Sequence, residues 1–323
     1  MEQRSDKKKL HQPFPRYLIV IFAIILAIAG FGIGQFFYKP GTLSKALNPV
    51  DNEPLKYNIE IASIPVLKPN ATQPKINAKN IILLDSGSKF LMFGQGAHDR
   101  TPIASITKLM TGIVTSENKK FNDIVTIEQS DIDVIGSKIG LETGEKVKVS
   151  ELMKGMLIKS GNDCANALAR TTGGSEKAFV ELMNKKVAEL GLKNTHYADP
   201  HGLSADGYST AFDQATVLSY TLNISKIKEI ISTSETIVTA ETGEQHELKN
   251  SNRLITDELP YEGAIGGKTG FTLEAGHSLA VAAERDGHTL IAVVLNTSYS
   301  TNDASAIEAS KLLDWGFANF DWL

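Results

Sequence analysis

The chain holds a single cysteine, Cys164, so no internal disulfide is possible. Cys164 sits in a helical-looking run, Asp163 to Arg170, where it reads as a small buried apolar residue. There is no excess of positive charge: the formal net charge is −4, which argues against nucleic acid as the main partner. The seven histidines include no H-E-x-x-H, so a zinc peptidase is not indicated and no metal site is expected. Lys268 follows Gly267, but no G-x-x-x-x-G-K-[ST] precedes a helix, which excludes a Walker A nucleotide loop. Internal repeats and low-complexity tracts are also missing, and no cofactor is implied. What remains is a chain of 323 residues with 42% hydrophobic and 22% charged content, ordinary for a globular protein.

The N-terminus departs from that average. Tyr17 to Tyr38 is an uncharged, mostly apolar run of 22 residues. As a helix it would reach about 33 Å, against about 30 Å for a bilayer core. Five basic and two acidic side chains precede it, a net +3 that keeps this end cytoplasmic and places everything after Tyr38 outside. The reading is a basic tail over 1–16 and a transmembrane anchor over 17–38. A cleaved signal peptide is the rival, because Ala27-Ile28-Ala29 has the small-x-small form of a cleavage site. Apolar residues continue past it, at Phe31, Ile33, Phe36 and Phe37, which suits an uncleaved anchor. Both readings export the rest. From 39 to 75 six prolines interrupt any helical period, so this stretch reads as an extracytoplasmic linker of about 35 Å mean span. An edge strand within it, such as Tyr57 to Ile64, is the other reading.

A globular domain is expected over 76–323. Ile81 to Phe93 reads as a hairpin about Asp85-Ser86-Gly87-Ser88. The middle is mainly helical: 105–116, 150–158, 163–171, 175–190 and 210–222. His277 to Glu284 and Thr289 to Asn296 form a second hairpin about Arg285-Asp286-Gly287-His288. Asp303 to Phe320 closes as an amphipathic helix carrying Ile307, Leu312, Leu313 and Trp315. Strands at both ends with helices between predict an α+β fold: an antiparallel sheet flanked by helices, with a mainly helical subdomain.

Three short elements carry chemistry. Ser105-Ile106-Thr107-Lys108 places an amine on the same helix face as a hydroxyl, one way to activate a serine without histidine. S-x-x-K occurs five times, at Ser5, Ser86, Ser105, Ser116 and Ser225. Only Ser105 opens a long helix, whose free N–H groups favour a developing oxyanion. Ser86 lies in a hairpin turn, and Ser116 and Ser225 at helix ends. Ser160-Gly161-Asn162 interrupts two helical runs, so its polar groups project from a turn; a helix cap is the alternative. Lys268-Thr269-Gly270 lies in a glycine-rich strand edge, where glycine marks close approach of another backbone; a plain glycine-rich loop is the alternative.

Taken together and in this order, Ser105, Ser160 and Lys268 match the S-x-x-K, S-x-N and K-T-G signature of β-lactamases and penicillin-binding proteins. From Ile76 to Phe317 the chain resembles the low-molecular-weight penicillin-binding proteins, specifically serine-type D-alanyl-D-alanine carboxypeptidases. The resemblance extends to Pro102 to Thr111, Ser160 to Asp163, Asp199-Pro200-His201-Gly202-Leu203 and Gly267 to Thr272. It implies a β-lactamase/DD-peptidase-like fold acting on peptidoglycan stem peptides, inhibited by β-lactams. In that family Ser105 would be the nucleophile, Lys108 its base and Ser160 a proton relay. Asn162, Lys268, Thr269, Gly270 and Phe271 would bind substrate, with the N–H groups of Ser105 and Phe271 as oxyanion hole.

Two features depart from the family pattern. No arginine lies in Asn296 to Ala306, where relatives often carry one for the substrate carboxylate. The chain also ends directly after the closing helix, where many relatives add a C-terminal domain. His201 reads as shaping the rim of the site rather than as catalytic. Lys193 to Pro200 has no glutamate to activate a deacylating water, which sets the chain apart from class A β-lactamases. An endopeptidase cutting D-alanyl cross-links and a non-catalytic wall-binding protein are the remaining alternatives.

Overall fold

The computed structural model describes residues 63–298 and 301–323. The expected basic tail, apolar span and linker up to residue 62 lie outside the described residues. Among those described, no helix is long and apolar enough to cross a membrane.

In chain order the strands are β1 (Pro65–Leu67), β2 (Ala78–Asp85), β3 (Leu91–Gln95), β4 (Ile124–Thr126), β5 (Lys146–Lys148), β6 (Glu235–Thr239), β7 (Gln245–Lys249), β8 (Ala264–Gly270), β9 (His277–Arg285), β10 (His288–Thr297) and β11 (Phe320–Trp322). The α-helices are α1 (Lys108–Asn118), α2 (Gln129–Ile132), α3 (Val149–Ile158), α4 (Asn162–Gly173), α5 (Glu176–Glu189), α6 (Ala211–Leu222), α7 (Ser225–Ile231) and α8 (Ala304–Asn319). A 3-10 turn, Ala104–Thr107, leads into α1.

The expected α+β architecture is present. Five strands form one antiparallel sheet in the order β3-β2-β10-β9-β8. Its central strands are apolar on both faces, which is why they read as continuous runs in the sequence. Ile81, Leu83, Leu290, Ala292 and Val294 face α8, with Leu312 and Leu313 in the same core. Ile82, Leu84, Ile291, Val293 and Leu295 join the larger core shared with α1, α3, α4 and α6. The β9–β10 turn has φ of 51° at Asp286 and 78° at Gly287, the double positive φ of a type I′ hairpin.

Several expectations need correction. The linker does not run to residue 75: Pro65–Leu67 pairs antiparallel with Phe320–Trp322, and Trp315 Nε1 donates to the Thr72 carbonyl at 2.6 Å. Pro65 is compatible with a strand because it takes the first position of a three-residue edge pair. Ile307 lies on the exposed side of α8, while Leu312 and Leu313 are buried. The short pairs β4–β5 and β6–β7 form where no strand was expected.

Candidate active site

Ser105 is the second residue of the 3-10 turn, and the α-helix itself starts at Lys108. The tighter winding suits the pair, because side chains three apart eclipse in a 3-10 helix. Lys108 Nζ stands 2.8 Å from Ser105 Oγ. The turn is reached through Ala104 at φ 47°, a conformation unusual for a residue with a side chain. Two glycines permit it. A Cβ at Gly202, whose φ is 86°, would collide with the Ala104 carbonyl. A Cβ at Gly270 would sit 2.5 Å from the Ile103 carbonyl oxygen. The glycine of Lys268-Thr269-Gly270 thus lets the strand close against the turn that carries Ser105.

Lys108 is fully buried. Besides Ser105 it donates to Asn162 Oδ1 at 2.7 Å and to the His201 carbonyl at 3.0 Å. Burial, and next the charge of Lys268, push its ammonium well below the ordinary lysine value; Asp199 and Asp163 pull weakly the other way. Lys268 is itself fully buried, and burial lowers it to about 7. Its Nζ donates to the Thr269 carbonyl at 3.1 Å.

The central element is a strained turn. Ser160 has φ 67°, and α4 begins two residues later at Asn162. The turn is fixed by Gly161 N–H to the Gly155 carbonyl at 3.0 Å and Asn162 N–H to the Ser137 carbonyl at 2.7 Å. Neither side chain caps the helix. Asn162 instead spans from Lys108 to the Ile135 carbonyl, which accepts its Nδ2 at 2.6 Å. Asp163 secures the facing loop by accepting the N–H groups of Ile139, Gly140 and Leu141.

A cleft of about 570 Å³ opens over Ser105, with Ser160, Asn162, Thr269, Gly270 and Phe271 among its walls. All three sequence elements therefore meet in one place. Phe271 stands at the rim, 48% exposed, stacked on His277 at 4.3 Å between centroids. Cys164 is buried beneath the site, as expected for a packing residue.

Four contributors were given no role in the sequence reading. Ser251 Oγ accepts Thr269 Oγ1 at 2.7 Å, and its N–H donates to the Ile158 carbonyl at 2.9 Å, tying β8 to the end of α3. Arg253 also lines the cleft. Asp199 holds the turn that presents the His201 carbonyl: its carboxylate accepts the N–H groups of His201, Gly202 and Ser204. Burial opposes the charge of Asp199, yet the His201 ring and these N–H groups outweigh it and hold the carboxyl well below the usual range. The fourth is the Ile135 carbonyl itself. The only available signal was the Asp-Pro-His-Gly-Leu block, which marked the His201 turn as part of the rim.

The chain matches the D-alanyl-D-alanine carboxypeptidase family over residues 68–299. It is 36% identical to the D-alanyl-D-alanine carboxypeptidase DacF of Bacillus subtilis over 250 residues, 76% of this chain and 63% of that one. It is 33% identical to a D-alanyl-D-alanine endopeptidase of Haemophilus influenzae, over 74% of this chain and 82% of that one. The crystal structure of a Streptomyces DD-transpeptidase superposes with TM-score 0.72 at 31% identity, over 77% of this chain and all of that one. The chain spans less than two thirds of the length of the Bacillus relative. With Ser105, Ser160 and Thr269 all inside the matched residues and converging on one cleft, the chain belongs to the D-alanyl-D-alanine carboxypeptidase family.

Proposed function

We propose that the protein is a serine D-alanyl-D-alanine carboxypeptidase that removes the terminal D-alanine from peptidoglycan stem pentapeptides. The observation that carries this reading is a fully buried lysine, its ammonium disfavoured by burial, 2.8 Å from the Ser105 hydroxyl. Neutral Lys108 takes the Ser105 proton as Oγ attacks the carbonyl of the penultimate D-alanine. The N–H groups of Ser105 and Phe271 receive the oxyanion. Ser160 relays a proton to the leaving D-alanine nitrogen, and Asn162 keeps Lys108 in place while meeting the substrate amide. Lys268 and Thr269 face the terminal carboxylate, with Gly270 keeping the strand close. Water then hydrolyses the ester on Ser105. β-Lactams acylate the same hydroxyl.

The catalytic domain is read as extracytoplasmic, joined through a linker to an anchor over 17–38 with residues 1–16 in the cytoplasm. The support is the uncharged run and its basic flank. Similarity to the Haemophilus endopeptidase gives a second reading, cleavage of D-alanyl cross-links at the same serine.

The test is incubation of the full chain in detergent with a muropeptide pentapeptide, with Ser105→Ala as control. Loss of one alanine mass, abolished in the variant, is expected. Cleavage of cross-linked dimers alone establishes the endopeptidase reading. No reaction, with no labelling by fluorescent penicillin, overturns both.

A further inference from the structure

The cleft takes its exposed cations, Lys249 and Arg253, from an unexpected segment, and the single ammonium of Lys249 is shared between Asp257 and Glu258. Between β10 and α8 the chain supplies Asn302 and Ser305 to the cleft wall but no basic side chain from Asn296 to Ala306. Lys268 is fully buried, with its Nζ turned to the Thr269 carbonyl. Arg253, in the connection from β7 to β8, lines the same cleft as Ser105 and Thr269 with a third of its side chain exposed.

Three observations make this guanidinium more than a surface charge. First, its backbone is anchored to the site: two residues earlier, Ser251 bonds both Thr269 Oγ1 and the Ile158 carbonyl. Second, its fork is only partly used. Nε faces Glu258 at 3.1 Å and Nη1 pairs with Asp303, the residue preceding α8. Nη2 has no acceptor among the described residues. A guanidinium held on two sides by carboxylates is fixed in orientation, and its remaining N–H groups keep the planar geometry that matches an incoming carboxylate. Third, its charge reaches the mouth of the β8 edge. His277, stacked on Phe271, is lowered from its ordinary value by burial and then by Arg253.

We propose that Arg253 reads the free C-terminal carboxylate of the substrate peptide, docking it through Nη2 while Glu258 and Asp303 hold the guanidinium in place. This rests on the carboxypeptidase reading, in which the leaving residue carries the free terminal carboxylate of the peptide. Thr269 and Ser251 complete the polar wall beside it.

The experiment compares kcat/KM for an acyl-D-alanyl-D-alanine peptide with that for the same peptide amidated at its C-terminus. The wild-type chain is expected to favour the free acid. Arg253→Gln is expected to lose roughly tenfold to a hundredfold on the free acid, the range for a charged hydrogen bond, with little change on the amide. A purely structural role would lower both substrates together and leave their ratio intact, and that result overturns the inference. Arg253→Lys keeps the charge and loses the fork, so an intermediate ratio is expected; an unchanged ratio overturns the inference even if the glutamine variant fails to fold. A wild-type chain that releases no D-alanine from either peptide overturns the carboxypeptidase reading and this inference with it. A wild-type chain that is active, beside variants with its own ratio, overturns this inference alone.

Discussion

A lysine 2.8 Å from a hydroxyl is a base only while its nitrogen lone pair is free. In the mechanism proposed above, protonation of Lys108 below its pKa stops acylation, which gives the rate an acid limb. The neighbouring charge of Lys268 disfavours a second cation and lowers Lys108. Removing that charge raises Lys108 again. Lys268→Met is therefore expected to move the acid limb of β-lactam acylation to higher pH. The displacement is greatest below about pH 7, where Lys268 carries its proton. Stopped-flow acylation across pH reads the limb's position separately from its height; a limb that stays in place refutes the coupling. The Ser105–Lys108 pair was legible in the sequence because its geometry is local, fixed by a three-residue spacing. Ser251, Arg253 and Asp199 were not, because they reach the site across long-range folds. The carbonyls of His201 and Ile135 carry no sequence signal at all, since every residue has one.

At the scale of elements, α3 and α4 pack closely enough that side-chain volume is rationed between them. A Cβ at Gly155 would meet Cys164 Sγ at 2.5 Å and Ile139 Cδ1 at 3.0 Å. Gly155→Ala is expected to destabilise by about 1–3 kcal/mol, the usual cost of overpacking. Cys164→Ala, made in the same chain, should recover part of that loss through its missing sulfur. Urea melts of the single and double variants check this; strict additivity would show that the two residues do not share the space. The Gly155 carbonyl also holds the Ser160 turn, so the site's strained residue depends on this contact. The long elements were legible because their apolar periods are sustained: β2, β9 and β10 as runs buried on both faces, α3 and α4 as helical patterns. Pairs such as β4–β5, three residues each, offer one buried position per strand and no period to read.

The folded domain places its cleft between the β8 edge of the sheet and the helical core, and among the described residues no spare carboxylate faces that cleft. Glu258 lines it but is paired with Lys249 at 2.9 Å and Arg253 at 3.1 Å. The carboxylate of Asp199 is filled by N–H groups. Neither is placed to activate water against a penicilloyl ester, so nitrocefin should give a burst of about one equivalent followed by slow turnover. Rapid multi-turnover hydrolysis would contradict this. The order of the three motifs along the chain made the overall architecture legible. The domain's first boundary was set too late because prolines suggested a free tether, whereas Pro65 starts a strand.

That strand has a mechanical consequence. β1 runs antiparallel to β11, with Pro65 opposite Trp322 and the Ile64 carbonyl accepting Leu323 N–H at 3.5 Å. The domain's entry and exit thus leave from one point on its surface. Tension applied to residue 63 meets this three-residue pair first and peels it one bond at a time. The five-stranded sheet and the cleft at its β8 edge lie off that load path. A pull on the chain ahead of this strand would be spent on the clasp before it distorted the distance between Ser105 and Lys108.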